Sequence, residues 1–307
     1  MQLKYDVIAE GLRFPEGPII MQDGSIVLVE IERKTLSRVM PDGSIEVIAE
    51  LGGGPNGAAI GPDGHVYVCN NGGAQFTEQF GLLLSGPAPK DNETSRIEKV
   101  NLTTGEVEVL YDHCDGHKLV GPNDIVFDNQ GGFYFTDFGK TFAETRTRAL
   151  GNVYYAKADG SSIVAMENER LSPNGIGLSP DGNSVYFADT LTASLFAYDL
   201  KAPGEPKLLD FPPVAARLVA RLPGEALFDS LAVTASGAIC VASLVHGGIT
   251  QIAPDGSYKH YETPDPLTTN ICFGGEDMRD AYLTLSGTGK LIKCRWHEPG
   301  LPLAYSA

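Results

Sequence analysis

Six polar residues recur along the chain in one local context, and their side chains are of types that bind hard metal ions. They are Glu16, Asn56, Asn123, Asn174, Asp229 and Asn270. Carboxylate and carboxamide oxygens suit Ca²⁺, Mg²⁺ or Mn²⁺. Two carboxylates would neutralise a divalent ion, and neutral amides would complete its shell at little electrostatic cost. This chemistry requires that six positions far apart in the chain come together.

Turn formation is the alternative explanation for these residues, because Asn and Asp are common turn formers and Pro-Asn-Gly is a frequent turn signal. Two of the six positions argue against it. Glu16 is in the same register although Glu is not a turn former. Asp229 lies between Phe228 and Ser230 rather than between Pro and Gly. We therefore favour a polar or metal site over turns alone.

The segments that must position these residues are repeats. In the first five copies a glycine follows the polar residue after eight positions: Gly24, Gly64, Gly131, Gly182 and Gly237. The sixth copy has Met278 there. Alternating apolar residues flank each turn and predict two antiparallel strands. A second hairpin follows each copy, and the strands that close the first five repeats are predicted at IEVIAE, VEVLY, SIVAM, KLLDF and YKHYE.

Six four-stranded repeats, with key residues 40, 67, 51, 55 and 41 positions apart, predict an all-β, six-bladed β-propeller that forms a single domain over residues 1–307. The sixth repeat has no closing strand of its own. The N-terminal YDVIAE has no repeat of its own, so we expect it to pair into the last blade and close the ring. The first strand of each blade lines a propeller's central channel, which would bring the six polar residues to one mouth.

Composition limits the classes of partner. The chain has 307 residues and a formal net charge of −16, which argues against surfaces for nucleic acid or for anionic lipid. Gly and Pro together make up 56 residues, about half as many again as usual, which fits frequent turns. Five cysteines without a CxxC pair, and a start without an apolar segment, predict a cytoplasmic protein. The oligomeric state is left open.

The motifs FPEGP, GPNDIVFD, SPNGIGLSPDG, FDSLAV and NICFGG occur in this order. They resemble the senescence-marker-protein, gluconolactonase and luciferin-regenerating-enzyme family over nearly the whole chain. The resemblance implies one divalent cation in the channel of a six-bladed propeller, with calcium expected first and Mg²⁺, Mn²⁺ or Zn²⁺ as alternatives. The metal ligands that it implies are Glu16, Asn123, Asn174 and Asp229.

The resemblance also implies hydrolysis of a lactone, a small-molecule substrate. A cation would polarise the lactone carbonyl, and the family assigns Asp229 a second role as the general base. Two other mechanisms stay open: Asp229 could attack as a nucleophile, or a metal-bound hydroxide could attack, because a metal-bound carboxylate should have a lowered pKa.

The alternative functions are a phosphotriesterase of the diisopropyl-fluorophosphatase-like branch and a calcium-binding propeller without catalysis. Two acids in the channel favour an enzyme.

Long connections on the ligand side predict a lid. They run from Asn70 to Ser95 and from Phe138 to Leu150. The residues expected to contact substrate are Asn56, Asn71, Arg148, His246 and Asn270.

The identity of the substrate is predicted from two further features. Sugar lactonases of the family often have arginine just ahead of the Asn-Asp pair, where this chain has Gly121 and Pro122. The long blade-two connection also carries Phe76, Phe80 and three consecutive leucines. Both features predict a substrate less polar than a sugar lactone.

Overall fold

Short antiparallel strands follow one another along the whole of the computed structural model, which describes residues 2–90, 92–167, 169–224 and 226–305. None of the described residues is helical, and these ranges therefore contain no apolar helix of the length that a membrane crossing requires. The strands form six main sheets in a closed ring, because each innermost strand contacts the next and the sixth contacts the first. The fold is a six-bladed β-propeller, as the repeats predict.

The strands of blades one to five run from the channel outwards in chain order, whereas the outermost strand of blade six comes from the start of the chain. In blade one they are Pro15–Ile20, Ile26–Glu30, Thr35–Val39 and Ile45–Glu50; in blade two, Pro55–Ile60, Val66–Asn70, Arg96–Val100 and Val107–Tyr111; in blade three, Pro122–Phe127, Gly132–Asp137, Asn152–Lys157 and Ile163–Ala165. In blade four they are Pro173–Leu178, Ser184–Asp189, Ser194–Ala202 and Ala216–Arg221, with a short added strand Glu205–Pro206; in blade five, Leu227–Val233, Ile239–Leu244, Gly248–Ile252 and Tyr258–Glu262; in blade six, Thr268–Gly274, Asp280–Leu285, Lys290–Arg295 and Asp6–Glu10.

Among the described residues, three small hairpins lie outside the blades. They are Phe76–Gln79 with Leu82–Ser85, His113–Cys114 with His117–Lys118, and Lys140–Phe142 with Thr147–Ala149.

The ring closes as predicted. Asp6–Glu10 pairs antiparallel with Lys290–Arg295 and supplies the outer strand of blade six. Blade six therefore combines the first strand of the described chain with its last three strands.

Blade four departs from the prediction. Its outer strand is Ala216–Arg221, whereas the sequence pattern placed it at KLLDF, residues 207–211. Pro206 precedes that segment, and Pro212 and Pro213 follow it. Because proline donates no hydrogen bond to a ladder, the apolar run after the prolines pairs instead.

The core lies between neighbouring blades. Large aromatic side chains fill these interfaces, for example Tyr67 of blade two, whose ring meets Phe127 of blade three edge-on at 5.0 Å. On the face opposite the polar ring, the C-terminal segment runs along the turn ends of the innermost strands: Leu301 donates to Val233 at 2.8 Å, and Tyr305 packs on Phe127 at 5.7 Å. The C-terminal segment packs on one face of the propeller and the polar residues lie at the other face. We therefore look for the functional site at the mouth of the channel that carries the polar residues.

Candidate functional site

The six polar residues at the start of the innermost strands form a ring in the channel, which we call the polar ring. Five of them are buried, and Asp229 is half-buried. In all six blades the pairing of the first strand with the second shifts register at or beside the ring residue. Such bulges re-aim side chains, and here they occur where a side chain must point into the channel.

A second set of polar residues holds the loops that lead into the ring. In blades one to four the last residue of the second strand accepts a hydrogen bond from the backbone just before the ring residue. The bonds are Arg13 N to Glu30 (2.7 Å), Gly54 N to Asn70 (2.9 Å), Gly121 N to Asp137 (2.7 Å) and Ser172 N to Asp189 (3.2 Å). The repeated polar ending of IVLVE, VYVCN, FYFTD and VYFAD is the sequence signal for this set.

Glu16 and Asn270 form a hydrogen bond across the junction of blades one and six. Glu16 Oε2 accepts from Asn270 Nδ2 at 2.7 Å and from Gly17 N at 2.9 Å. Burial raises the pKa of Glu16, and these bonds oppose the rise. Asn270 Oδ1 accepts from Ile271 N at 2.7 Å. Both ends of the Asn270 amide are thus engaged by the protein, and a contact with substrate stays a prediction for this residue.

Asn123 and Asn174 each bury a side-chain oxygen that accepts no hydrogen bond from the described residues. Asn174 Nδ2 donates to Thr190 Oγ1 at 3.0 Å, so the nitrogen end of this amide is engaged. A buried carbonyl oxygen without a partner costs about 1–3 kcal/mol. A hard cation would satisfy both oxygens, so these residues fit the metal that the family resemblance implies.

Three carboxylates at this mouth interact electrostatically. They are Glu16, Asp124 and Asp229. The channel wall encloses Asp229 although one edge is exposed, and burial, with the charges of Glu16 and Asp124, raises its pKa well above the ordinary value. Asp124 accepts from Ile125 N at 2.9 Å and from Ile176 N of blade four at 3.2 Å. Burial and the charge of Glu16 raise the pKa of Asp124 to about 7.

These three carboxylates form no ion pair with a described Lys, Arg or His. Within the described ranges, no three His, Cys, Asp or Glu side chains are spaced to hold a metal by themselves. The available donor set is therefore mixed, with carboxylates and carboxamides, and its uncompensated negative charge favours a bound cation.

Comparison with known proteins assigns the family. The model described as the SMP-30/gluconolactonase/LRE-like region matches residues 14–287, a range that includes the whole polar ring. The chain belongs to this family. The resemblance drawn from the motifs is thereby confirmed.

Relatives of this SMP-30/gluconolactonase/LRE-like protein include enzymes named as lactonases. The gluconolactonase of Zymomonas mobilis is 26% identical over 321 residues, which cover 94% of this chain and 80% of the relative. The lactonase drp35 of Staphylococcus saprophyticus is 26% identical over 201 residues, covering 65% of this chain and 55% of that protein. The structure of the calcium-binding protein regucalcin from Agrobacterium tumefaciens matches with a TM-score of 0.75 at 18% identity over 99% of both chains, which shows the shared fold.

The blade-two hairpin of this family member, residues 76–85, lies over blades one and six; we call it the lid. Leu83 N donates to Gly287 O of blade six at 2.8 Å, and Phe76 packs on Phe14 at 5.2 Å. Leu83 is buried in the same apolar cluster. The apolar residues noted in the sequence therefore serve in part to dock the lid, while Phe80 at its tip is 88% exposed.

Lys140 lies at the base of the lid, and sequence reasoning missed it. Its ammonium group donates to the Asn71 carbonyl and, at 2.5 Å, to Asn92 Oδ1. Ser95 Oγ lies 2.9 Å from the Asn71 carbonyl and 2.7 Å from that of Val120. Burial lowers the pKa of Lys140 to about 8. This junction ties the blade-two connection to blade three.

The other expected substrate contacts lie in different settings. Arg148 donates to the carbonyl groups of Phe138 and Leu171, which pins the blade-three hairpin to the entry of blade four. Asn71 Oδ1 accepts from Gly73 N at 2.8 Å within its own loop. Asn56 is buried in the ring, whereas His246 is exposed on the short turn of blade five. Contacts of these residues with substrate stay predictions.

Proposed function

We propose that this protein is a divalent-metal-dependent hydrolase that opens lactones. Glu16, Asn123, Asn174 and Asp229 would hold the cation, with Ca²⁺ expected first because all four offer oxygen donors. The observation that carries the proposal is the pair of buried oxygens of Asn123 and Asn174, which accept no hydrogen bond from the described residues. They lie in the same channel as carboxylates that form no ion pair with a described basic residue. Relatives named gluconolactonase and lactonase support the reaction class.

When bound, a divalent cation would polarise the lactone carbonyl and stabilise the charge that develops on its oxygen. Asp229 is the proposed general base, because it is the ring carboxylate that is only half-buried and the family resemblance assigns it this second role. It takes a proton from water as the water oxygen bonds to the carbonyl carbon. The ring C–O bond then breaks, and the proton passes to the released alkoxide, which gives a hydroxy acid.

The remaining polar residues of the mouth position these groups. Asn270 orients Glu16 through the 2.7 Å bond. Thr190 orients Asn174. Asp124 joins blade three to blade four through Ile176, which fixes the spacing of Asn123 relative to Asn174. All five cysteines are free, in keeping with the cytoplasmic location that we propose.

A pH-indicator assay over a panel of lactones tests the proposal. The protein is first stripped with a chelator, and Ca²⁺, Mg²⁺, Mn²⁺ and Zn²⁺ are added back separately. We expect turnover to return with metal, and to be absent in Asp229→Asn but present in the exposed-turn control Asp42→Asn. Metal binding without opening of any lactone would refute the proposal. Turnover of phosphotriesters in that case would identify a phosphotriesterase, and failure there a binding protein.

A further inference from the structure

The ligand face of the propeller is covered unevenly. The lid bonds to blade six and packs on blade one, and the neighbouring Ala88 donates to Thr141 O of blade three at 3.0 Å. By contrast, the strand-two to strand-three connections of blades four and five are only residues 190–193 and 245–247. A substrate that extends beyond the polar ring therefore has room over blades four and five.

Three exposed apolar side chains edge this open sector, and we call them the apolar rim. They are Leu171, which is 38% exposed, and Leu191 and Val245, each 48% exposed. Leu171 precedes the ring residue Asn174 by three positions. Leu191 follows Thr190, the partner of Asn174, and its N–H donates to Ser172 Oγ at 2.8 Å. The rim thus lies beside Asn174.

Val245 extends the rim to the other side of the sector. It follows Leu244, whose backbone pairs with Leu227, two positions before Asp229. Val245 has a φ of 72°, a strained value for a β-branched residue. Apolar side chains therefore flank both Asn174 and Asp229, where the carbonyl of a substrate would be held.

Of two polar side chains beside the rim, His246 next to Val245 is exposed, whereas Arg148 is already engaged by the protein. A site for a polyhydroxylated lactone needs a hydrogen-bonding partner for each buried hydroxyl. Arg148 donates to Leu171 O in the rim, and also to Phe138 O and Thr141 Oγ1. These hydrogen bonds of its guanidinium stabilise the loop that carries Leu171.

On the basis of the proposed function, we infer that the substrate is a lactone with an apolar side chain, which lies on Leu171, Leu191 and Val245. Complete burial of a methylene group corresponds to about a fourfold gain in affinity. The rim is open to solvent on one side, so kcat/KM should rise about two- to fourfold per added methylene until the chain extends beyond the rim.

The test measures kcat/KM for γ-lactones with unbranched side chains from methyl to hexyl, and for gluconolactone, on calcium-loaded protein. We expect the stepwise rise in the unmodified protein, with the hexyl lactone far above gluconolactone. Leu191→Ser and Val245→Ser should flatten the rise. Leu208→Ser is the matched control, because Leu208 is a 62% exposed leucine in the outer connection of blade four, and it should keep the full rise.

The outcomes separate the two proposals. If gluconolactone is opened as fast as the alkyl lactones and chain length has no effect, the apolar substrate is refuted and the hydrolase stands. A rise that persists in both rim variants refutes the placement on the rim. If no lactone is opened, the proposed function fails, and this inference fails with it.

Discussion

The side-chain amide of Asn174 donates to the hydroxyl of Thr190 at 3.0 Å, and this bond engages the nitrogen end of the carboxamide. Oδ1 is buried and accepts no hydrogen bond from the described residues. An oxygen donor is thereby oriented before any cation arrives. Residues that orient ligands in this way commonly change metal affinity 10- to 100-fold when they are replaced.

Thr190→Val should therefore weaken calcium binding by about 10- to 100-fold while the fold is retained. Valine keeps the volume of threonine but cannot accept the amide bond, so the carboxamide of Asn174 can rotate. Isothermal titration with Ca²⁺ measures the effect. Thr35→Val, at a buried threonine of blade one whose hydroxyl lies 2.9 Å from Ser37 Oγ, is the control. Equal affinity in the two variants would contradict the role given to Thr190.

Asp229→Asn should lower turnover below roughly a tenth of the unmodified rate and stabilise the metal-free protein. The loss follows from removing the proposed base. The gain follows because burial and the charge of Glu16 raise the pKa of Asp229. Above the ordinary pKa of this group, folding must therefore either bind a proton or bury the charge, and both lower stability. Urea unfolding at pH 8 in a chelator should show a gain on the order of 1 kcal/mol. Residual turnover above a tenth would remove Asp229 from catalysis, and lower stability would contradict the electrostatic argument.

The polar ring could be predicted from sequence because each of its members belongs to a repeat. The eight-residue spacing from Glu16 to Gly24, or from Asn56 to Gly64, reflects a strand and a tight turn, both of which are local. The outer strand of the last blade could be predicted because YDVIAE alternates in the same way as the strands that close other repeats. Local pattern therefore predicted the blades and the convergence of the ring.

The surroundings of the ring depend on contacts between distant segments, which local pattern does not contain. Leu83 bonds to Gly287, and Asn270 bonds to Glu16. The sequence context of these residues does not show which residue each one bonds. Lys140 is likewise an ordinary lysine in a loop until the blade-two connection covers it. The apolar composition of the lid was visible, but its docking on blades one and six was not.

Gly175 should not tolerate a side chain. A Cβ at this position would lie 2.6 Å from Asp229 O and from Leu231 N, both backbone atoms of the next blade. Gly175→Ala should lower the free energy of unfolding by about 1–3 kcal/mol and weaken calcium binding, because it pushes blades four and five apart at the ring. Chemical denaturation and calcium titration measure both effects.

Gly86→Ala is the matched control for that substitution. Its backbone is also outside the left-handed region, and an added Cβ would lie no nearer than 3.4 Å to another heavy atom. This variant should unfold within about 0.5 kcal/mol of the unmodified protein. A similar loss in both variants would show that the close approach of the blades at Gly175 is unimportant.

Lys140 should make stability depend on pH above neutrality. Burial lowers its pKa from 10.5 to about 8, while the charge of Asp137 opposes the change. Below pH 8 the lysine is ionised in both states, and the folded state carries the cost of burying the charge. Between pH 8 and 10.5 the unfolded chain retains a proton that the folded chain has released, so this group's contribution to stability rises with pH. Urea unfolding at pH 7, 8.5 and 9.5 measures this effect. As the pH rises, the free energy of unfolding of the unmodified protein should increase relative to that of Lys140→Met by on the order of 1 kcal/mol. Lys118→Met, at an exposed lysine of the small hairpin 113–118, should show no such shift. Parallel curves for the unmodified protein and Lys140→Met would mean that this ionisation is not coupled to folding.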